Sequence, residues 1–563
     1  MKILSLHCDY IKFKPLKKAL RLPEELSEER KKEIEVREPV VFLIAVEKQD
    51  EENKGLVESV VKEIKDIVGK IGVNDVVLYP YAHLSPSLSS PDFALKTLEK
   101  VDKELNKDFK IVRAPFGYYK EFELKVKGHP LSELSRDIHF SGELPGENDV
   151  DYKQLLREIS KSKLDARELK DNDHRILGKQ MDLFSFSETA PGMVFWHDKG
   201  LIIRNALIDF WRQKHRKADY EEIRTPQILD KKLWQISGHW DKYKENIFLT
   251  EYEKRQFAVK PMNCPGGMLI YKNSPKSYKD LPLRVGELGD VHRQELSGVL
   301  SGLFRVIQFT QDDAHIYCTE KQLEKELISV MELVDEFYKK FGFKYRVELS
   351  TRPEKRIGSD KIWDKAEKVL EKVLKKKKIN FKINKGDGAF YGPKIDFHIK
   401  DSLNREWQCG TLQLDFAMPE RFDLNYIGED NQLHRPVTLH RTVYGSLERF
   451  IGILLEHYNG KLPVWLAPVQ VRVINFTDRN NKSCSDLVDE LREKGFRVDS
   501  DLSSEPVGGK VRKAEMDKVS YIVVIGDKEE KSGELAVRRE GKVVSMKKDE
   551  FIEKVGKEVE ERV

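Results

Sequence analysis

The densest polar stretch of the chain is FRVIQFTQDDAHIYC, Phe304 to Cys318. Read as a strand, its period of two puts Phe309, Gln311, Asp313 and His315 on one face. An aromatic, an amide, a carboxylate and an imidazole on one face suit ligand binding. An exposed polar face with one satisfied histidine remains open. His315 and Cys318 do not form a metal pair, because strand residues three apart point to opposite faces. EWQCGTLQLDF (406–416) is a second such strand, with Thr411, Gln413 and Asp415 on one face. Gln408 joins them only if Gly410 marks a bulge. A third element is VTLHRTVYGSLERFIGILLEHY, a strand ending near His440 followed by a helix. Leu447, Phe450, Ile451, Leu454 and Leu455 form its core stripe, and Ser446 and Arg449 lie off it. An arginine near a helix start suits a phosphate; an interdomain ion pair is the alternative. In KPMNCPGG, Pro265 is expected to hold Cys264 extended, with a tight turn at the two glycines. Cys264, His315 and His440 could supply the three protein ligands of a zinc site with one open position. Their separations, 51 and 125 residues, match no compact metal motif. On spacing alone a lone cysteine before proline is usually a small buried hydrophobe.

The elements that must position these groups fall into several domains. At roughly 150 residues per domain, 563 residues make about three or four. Residues 1–145 read as an α/β unit: strands at Val40–Val46, Val76–Tyr79 and Phe122–Val126, and a helix from Leu56 to Val68. A turn-rich stretch, Ser141–Asn148, makes a boundary, and a polar helical segment, about Asp151 to Lys170, belongs to a linker over 146–190. Residues 191–465 form a large cored domain, and LPVWLAP (462–468) a connector. Residues 466–563 alternate strand and helix, which predicts a small α/β domain with a partly parallel sheet.

Composition limits the function classes. Hydrophobic residues make up 39% and charged residues 35%, as in a globular protein. The net charge is +4, and 466–563 carries 20 Lys/Arg against 21 Asp/Glu, so charge alone advertises no nucleic acid. Lys375–Lys378 reads as a solvated helix end. Five cysteines, widely spaced, exclude a disulfide scaffold and suit a reducing compartment. MKILSLHCDY is too short in apolar residues for a signal peptide, and no apolar run approaches 18 residues. A cytoplasmic protein without a membrane partner is expected.

Several motifs resemble the class II aminoacyl-tRNA synthetases. GMVFWHDKGLIIRNALIDFWRQKHRKADYEEIRTPQIL, ending its helix and strand near Pro226, resembles motif 1. VHRQE (291–295) with FRVIQFTQDD resembles motif 2, and YGSLERFIGIL (444–454) motif 3. KPMNCPGG, SGHWDKY, FYGPKIDF and WQCGTLQLDF are specific to the threonyl members, and the likeness runs from about Asp173 to the C-terminus. YPYAHLSPSLS, APFGYYK and GHPLSELSR, in 1–145, resemble the archaeal editing domain, related to D-aminoacyl-tRNA deacylase. The bacterial editing domain is not matched, since no two of the 14 histidines stand four apart.

The resemblance implies an antiparallel-sheet class II core. Flanking it would be a deacylase-like editing domain and a C-terminal α/β anticodon-binding domain. It implies a ligase that joins threonine to tRNA(Thr) with ATP and Mg2+, works as a homodimer, and hydrolyses seryl-tRNA(Thr). Cys264, His315 and His440 would hold one zinc per subunit. Arg293, Arg305 and Arg449 would hold the phosphates, Phe309 would stack on adenine, and Gln408 and Thr411 would contact the nucleotide. Met262, Asp313, Gln311, Tyr391, Gln413, Lys394 and Ser446 would line the threonine pocket. Arg293, Arg449 and Lys394 are expected to be catalytic, with His239 near the terminal ribose. His83, Tyr119, Lys120 and Glu133 would edit, and Glu529 and Arg538 would meet the anticodon. Leu201, Ile202, Leu207, Ile208, Phe210 and Trp211 on the motif 1 helix, about Lys199 to Lys214, would pair two subunits. Motif 3 keeps Gly445 but lacks the extra glycines of the general class II pattern, and Leu296 stands where the family usually has proline. A non-catalytic paralogue would be expected to lose Arg293, Arg449 or a zinc ligand, and all are present. The Cys264, His315 and His440 set argues against a serine or proline enzyme.

Overall fold

The computed structural model describes residues 1–20, 23–53, 55–85, 87–137 and 169–563. The turn-rich 141–148 and nearly all of the helical segment expected over 151–170 lie outside them. The chain divides into two compact units, Met1–Tyr152 and Lys153–Val563.

In the first unit a long strand, Lys2–Lys18, organises the sheet. Its first part pairs antiparallel with Val40–Ala45 and Glu133–Asp137, its second with Ile34–Arg37 and Tyr118–Val126. Asp75–Pro80 and Lys110–Arg113 extend the sheet in parallel. Helices Leu56–Ile71 and Pro91–Leu105 cover one face with Val60, Ile64, Leu98 and Val101. The first helix stops at Gly72, whose φ of 79° lets it close the end in a left-handed conformation.

The second unit contains an eight-stranded sheet. Its five inner pairings are antiparallel, and only the edge pairs Tyr220–Glu222 with Leu283–His292 and Lys344–Ser350 with Phe381–Asn384 run parallel. Alternation decides what each face carries. Ile316 and Cys318, Leu412 and Leu414, Ile395 and Phe397, and Val437 and Leu439 join one large core. Helices Asp198–Lys217, Leu323–Lys340 and Leu447–His457 add Leu207, Phe337 and Phe450 to it. The opposite parity leaves Asp313, His315, Asp396, Thr411, Gln413 and His440 on the other face.

Leu177, Met181, Leu183 and Phe184 pack into this core, although they fall before the boundary expected at 191. Residues 169–190 are therefore not free linker. On the motif 1 helix, Leu207, Ile208, Phe210 and Trp211 are buried in their own chain, while Leu201 is exposed. Four of the six residues expected to pair subunits thus serve the internal core, because this helix lies directly on the sheet. Lys375, Lys376 and Lys377 form exposed ion pairs with Glu371, Glu324 and Glu332, the solvated helix end that was expected.

The C-terminal sheet has strands Val498–Asp501, Val471–Asn475 and Tyr521–Ile525 in parallel, then Glu534–Arg539 and Lys542–Lys547 antiparallel. The partly parallel sheet agrees with the sequence reading. The last hairpin and helix Lys548–Glu560 were not foreseen, because charged residues dominate them. No helix among the described residues is long and apolar enough to cross a membrane.

Candidate active site and metal centre

The three metal-ligand candidates converge. Ligand atoms of Cys264, His315 and His440 lie within 4.8 Å of one another, and all three residues are buried. His315 and His440 are cross-strand partners whose rings meet edge to face, 4.8 Å apart. Cys264 differs from expectation: it is not extended but opens helix Cys264–Lys272. Proline is tolerated in a first helical turn, where its missing N–H would be unpaired anyway. The glycines lie inside that helix rather than in a turn, and a Cβ on Gly266 would stand 2.8 Å from the Thr225 side chain.

These residues fit a metal. His315 Nε2 is buried with no hydrogen-bond partner. Burial holds the His315 imidazole well below its ordinary pKa, hence neutral, as a ligand must be. His440 Nε2 lies 2.9 Å from Asp415 Oδ2, the carboxylate support that metal-binding histidines commonly have. Cysteine and two imidazoles, with no fourth protein ligand grouped with them among the described residues, suit zinc with an open position.

Beside the triad, Asp313 accepts from Asn263 Nδ2 at 3.5 Å, and burial pushes its carboxyl up to about 7. The Tyr391 hydroxyl donates to Gln413 Oε1, and its ring lies 5.0 Å from that of His440. Gln311 keeps a buried Oε1 without a partner. His239 is fully buried, with Nδ1 2.8 Å from Ser237 Oγ and Nε2 2.9 Å from Met262 Sδ. Burial drops its pKa to about 3, so it stays neutral. In this structure it faces no solvent through which a ribose could reach it.

A cleft of about 440 Å³ lies on the same sheet face. Arg293, Arg305, Phe309, Gln408, Thr411 and Arg449, the six residues implied for ATP, all line it, together with Gln311 and Ser446. The Arg293 guanidinium stands 5.0 Å from the Phe309 ring centroid, and its Nε donates to Pro261 O at 3.3 Å. Arg305 is held by Glu295 at 3.0 Å. Arg449 Nε donates to Phe304 O at 2.9 Å rather than to a carboxylate of another domain. Burial, with Arg305 and Arg293 alongside, pulls its guanidinium below the ordinary value. Three guanidiniums facing one cleft with Glu295 as their neighbour make an anion site.

A bulge makes this possible. The register shifts between Phe397 and His398, which pair with Gly410 and Gln408, so Gln408 joins the face of Thr411 as the glycine hinted. Gly445, at φ 80°, lets the chain pass Cys409 O, which a Cβ would meet at 2.5 Å. Sequence reasoning missed Asp396. This buried carboxylate accepts from Gln408 Nε2 (2.6 Å), Thr411 Oγ1 (3.3 Å), Lys394 Nζ (2.6 Å) and Ser350 Oγ (2.7 Å). Lys394 also pairs with Asp387 at 3.0 Å. It missed Asp312 too, which accepts from the amides of Val443, Tyr444 and Gly445 and so fixes the approach to Arg449. Nothing in PKIDF or QDD marks a carboxylate as an organiser rather than a surface charge.

In the first unit, His83, Tyr119 and Lys120 line a cavity of about 470 Å³ with Tyr79, Tyr81 and Phe122. Lys120 Nζ donates to Pro115 O at 3.0 Å and Tyr118 O at 3.3 Å, and lies 5.0 Å over the Tyr79 ring. Burial lowers its pKa to about 8. Glu133 does not join them. It is exposed on strand Glu133–Asp137, opposite Leu6, outside the cavity lining. The strand turns Leu134 toward the helix-covered core, which sends Glu133 the other way.

Glu529 and Arg538 are not brought into one cleft. Glu529 Oε2 accepts from Gly526 N at 3.1 Å, closing the start of a helix, while Arg538 pairs with Glu515 at 3.4 Å in a cleft with Lys518. A carboxylate three residues into a helix is recruited by the free amide there.

Comparisons with known proteins agree with this geometry. Residues 1–138 match the archaea-specific editing domain of threonyl-tRNA synthetase. Residues 248–458 match the tRNA synthetase class II core domain (G, H, P, S and T), and 470–558 the anticodon binding domain. The chain is 53% identical over 412 residues to the threonine–tRNA ligase of Clostridium tetani, and 55% over 402 residues to that of Acetivibrio thermocellus. These alignments cover 72% and 70% of this chain, but only 64% and 63% of those proteins. A crystal structure of the RNA binding domain of threonyl-tRNA synthetase from Cryptosporidium parvum Iowa II is 39% identical, with a TM-score of 0.67. It matches over 68% of this chain and 98% of its own. With three domains matched in order and a solved relative covered almost completely, the chain belongs to the threonyl-tRNA synthetase family.

Proposed function

We propose that the protein activates L-threonine with ATP, transfers it to tRNA(Thr) and hydrolyses seryl-tRNA(Thr) in its N-terminal unit. The observation that carries this reading is the cleft of three arginines and Phe309 on the sheet face that also bears the Cys264, His315 and His440 triad. Adenylate formation moves charge between a carboxylate and a polyphosphate, so it needs fixed cations more than acid–base groups. Arg293, Arg305 and Arg449 supply them, with Mg2+ arriving on ATP, and Phe309 offers a face to adenine. Gln408 and Thr411, tied to Asp396, orient the nucleotide. Cys264, His315 and His440 would hold zinc, which as a Lewis acid would take the amino and hydroxyl groups of threonine. Asp313, Tyr391, Gln413, Gln311, Met262 and Ser446 complete the amino-acid pocket. Lys394, Glu529 and Arg538 keep their implied roles toward substrate and anticodon, whereas the buried His239 is left without its ribose contact.

The catalytic unit takes in residues from about 169 to 465, with 1–145 as the editing domain and 466–563 as the anticodon-binding domain. The protein works in the cytoplasm as a homodimer, through the exposed part of the motif 1 helix around Leu201. Sedimentation tests the dimer: a 65.6 kDa species at micromolar concentration would refute it. Pyrophosphate exchange with each of the twenty amino acids tests the activity. Exchange is expected with threonine and weakly with serine. Exchange led by any other amino acid would overturn the reading.

A further inference from the structure

We propose that His174 is a positioning residue for nucleotide binding, holding from behind the turn that carries Arg305 and receives Arg449. The proposal rests on the adenylate-forming reading of the cleft. His174 opens helix His174–Gln180 and is fully buried.

Both ring nitrogens of His174 have assigned work. The Leu303 amide donates to Nε2 at 2.9 Å. An amide can only donate, so Nε2 is the acceptor and the ring proton sits on Nδ1. Nδ1–H then donates to Glu456 Oε1 at 2.6 Å, and the His174 backbone N–H donates to the same oxygen at 3.0 Å. Asp173, His174 and Glu456 lie close enough together to hold a cation. With both ring nitrogens engaged, the cluster reads instead as a relay of hydrogen bonds. Arg405 holds the other oxygen of Glu456, and Asp401 holds Arg405 at 2.7 Å.

The turn is shaped around this imidazole. Gly302 has φ 47°, and a Cβ there would stand 2.2 Å from His174 Nε2. On the far side, a Cβ on Gly452 would meet Phe304 Cε1 at 3.0 Å and Leu303 Cβ at 3.2 Å. The Phe304 ring lies between His174, at 4.1 Å, and Trp407, at 4.3 Å. Phe304 O is the acceptor for Arg449 Nε, and the next residue is Arg305. One histidine therefore sets the backbone that places two of the three cleft arginines. Phosphate contacts lose much of their worth when misplaced by about 1 Å.

The test uses the full chain and equilibrium titration with ATP, alongside zinc content and circular dichroism. A glutamine at 174 can bring its Oε1 to the place of Nε2, whereas an asparagine reaches only the place of Nδ1. His174→Ala and His174→Asn should weaken ATP binding roughly 10-fold, since a buried amide loses its acceptor. His174→Gln should recover to within about threefold of wild type, and zinc content should not change. Wild-type affinity in the alanine and asparagine variants, or a glutamine variant as weak as they are, would overturn the proposal. Should His174→Ala fail to fold, Gly302→Ala approaches the same contact from the other side. It should weaken ATP binding with zinc retained, and tight ATP binding by the folded Gly302→Ala protein would count against the idea. The functional reading fails separately: a wild type that binds ATP but shows no threonine-dependent exchange would overturn it and leave the His174 result standing.

Discussion

The cleft on the large sheet and the cavity of the N-terminal unit are nearly equal in volume, about 440 and 470 Å³, and are built from opposite materials. The cleft gathers three arginines, and its Gln408 and Thr411 side chains are tied to the buried carboxylate of Asp396. The cavity is walled by Tyr79, Tyr81, Phe116, Tyr118 and Phe122, with Lys120 as its buried cation. Charge that moves along a polyphosphate must meet charges already fixed in place, since reorganising them during reaction costs rate. The ester hydrolysis proposed for the cavity would ask less of the protein: a snug wall, one cation and an oriented water. The RNA ribose hydroxyl can share that work. A site of the first kind should fail steeply when one charge is removed. A site of the second kind should depend on its single cation and on little else.

The largest expected effect is in the cleft. Arg293→Ala should lower threonine-dependent pyrophosphate exchange roughly 10³-fold, because a charge-assisted contact in a sheltered site is lost. The Arg293 side chain also ties Pro261 to the cleft, so zinc content should be checked in the same sample. A variant that keeps a tenth of wild-type exchange would break the comparison at its stronger end.

Lys120→Ala should slow seryl-tRNA clearance roughly 10²-fold while leaving exchange untouched. The pH profile sharpens this. Burial holds the Lys120 pKa near 8 against an ordinary 10.5. Its charge is therefore complete below 8 and lost as pH rises through 8, so enzymatic clearance above background should fall across that rise. Lys120→Arg should flatten the fall. The stability sign is opposite: between about 8 and 10.5 the unfolded lysine binds more protons than the folded one, so this group makes the unit gain stability as pH rises. Clearance that climbs through pH 8 as steeply in wild type as in Lys120→Arg would remove the cation from the mechanism.

A smaller effect is expected one step behind the metal ligands. Asp415 supports His440 through Oδ2 and caps the amides of Ala417 and Met418 through Oδ1. Asp415→Asn keeps an acceptor for those amides and loses the charge facing the imidazole. Zinc affinity, read by competition with a chelator, should fall roughly 10–100-fold. Unchanged affinity would mean that His440 needs no carboxylate partner, and the core would be less interdependent than its wiring indicates.

How much of this was legible follows from what period two can and cannot encode. The alternation puts Phe309, Gln311, Asp313 and His315 on one face of the first strand and Thr411, Gln413 and Asp415 on one face of the second, and sheet order brings the two sets to the same side. Gly410 announced the bulge that Gln408 required. The triad was beyond spacing, because strand partners such as His315 and His440 are set by sheet order, and only the family resemblance joined them. Asp396, Asp312 and His174 were not legible at all. Their work is to hold other residues, which depends on burial that residue type does not announce. Cys264 differs because Pro265 suits both an extended neighbour and a first helical turn, and the structure holds the helical turn, with Gly266 close against Thr225.

The smallest effect is expected at Glu133, and it separates the two kinds of site most directly. The family motif GHPLSELSR made this carboxylate a candidate for supporting water in the cavity. The strand that carries it pairs with the first residues of the chain, Glu133 opposite Leu6, and sends Leu134 inward. Glu133 is left exposed and outside the cavity lining. In solvent, its interaction with the cavity is screened within about 10 Å, and removing such a group usually changes stability by no more than ~0.5 kcal/mol. Glu133→Ala should therefore clear seryl-tRNA within about twofold of wild type, in the same assay in which Lys120→Ala fails. If the two variants fail alike, Glu133 reaches the ester when RNA is bound. The cavity would then work by paired charges, as the cleft does, and the contrast between the two sites would dissolve.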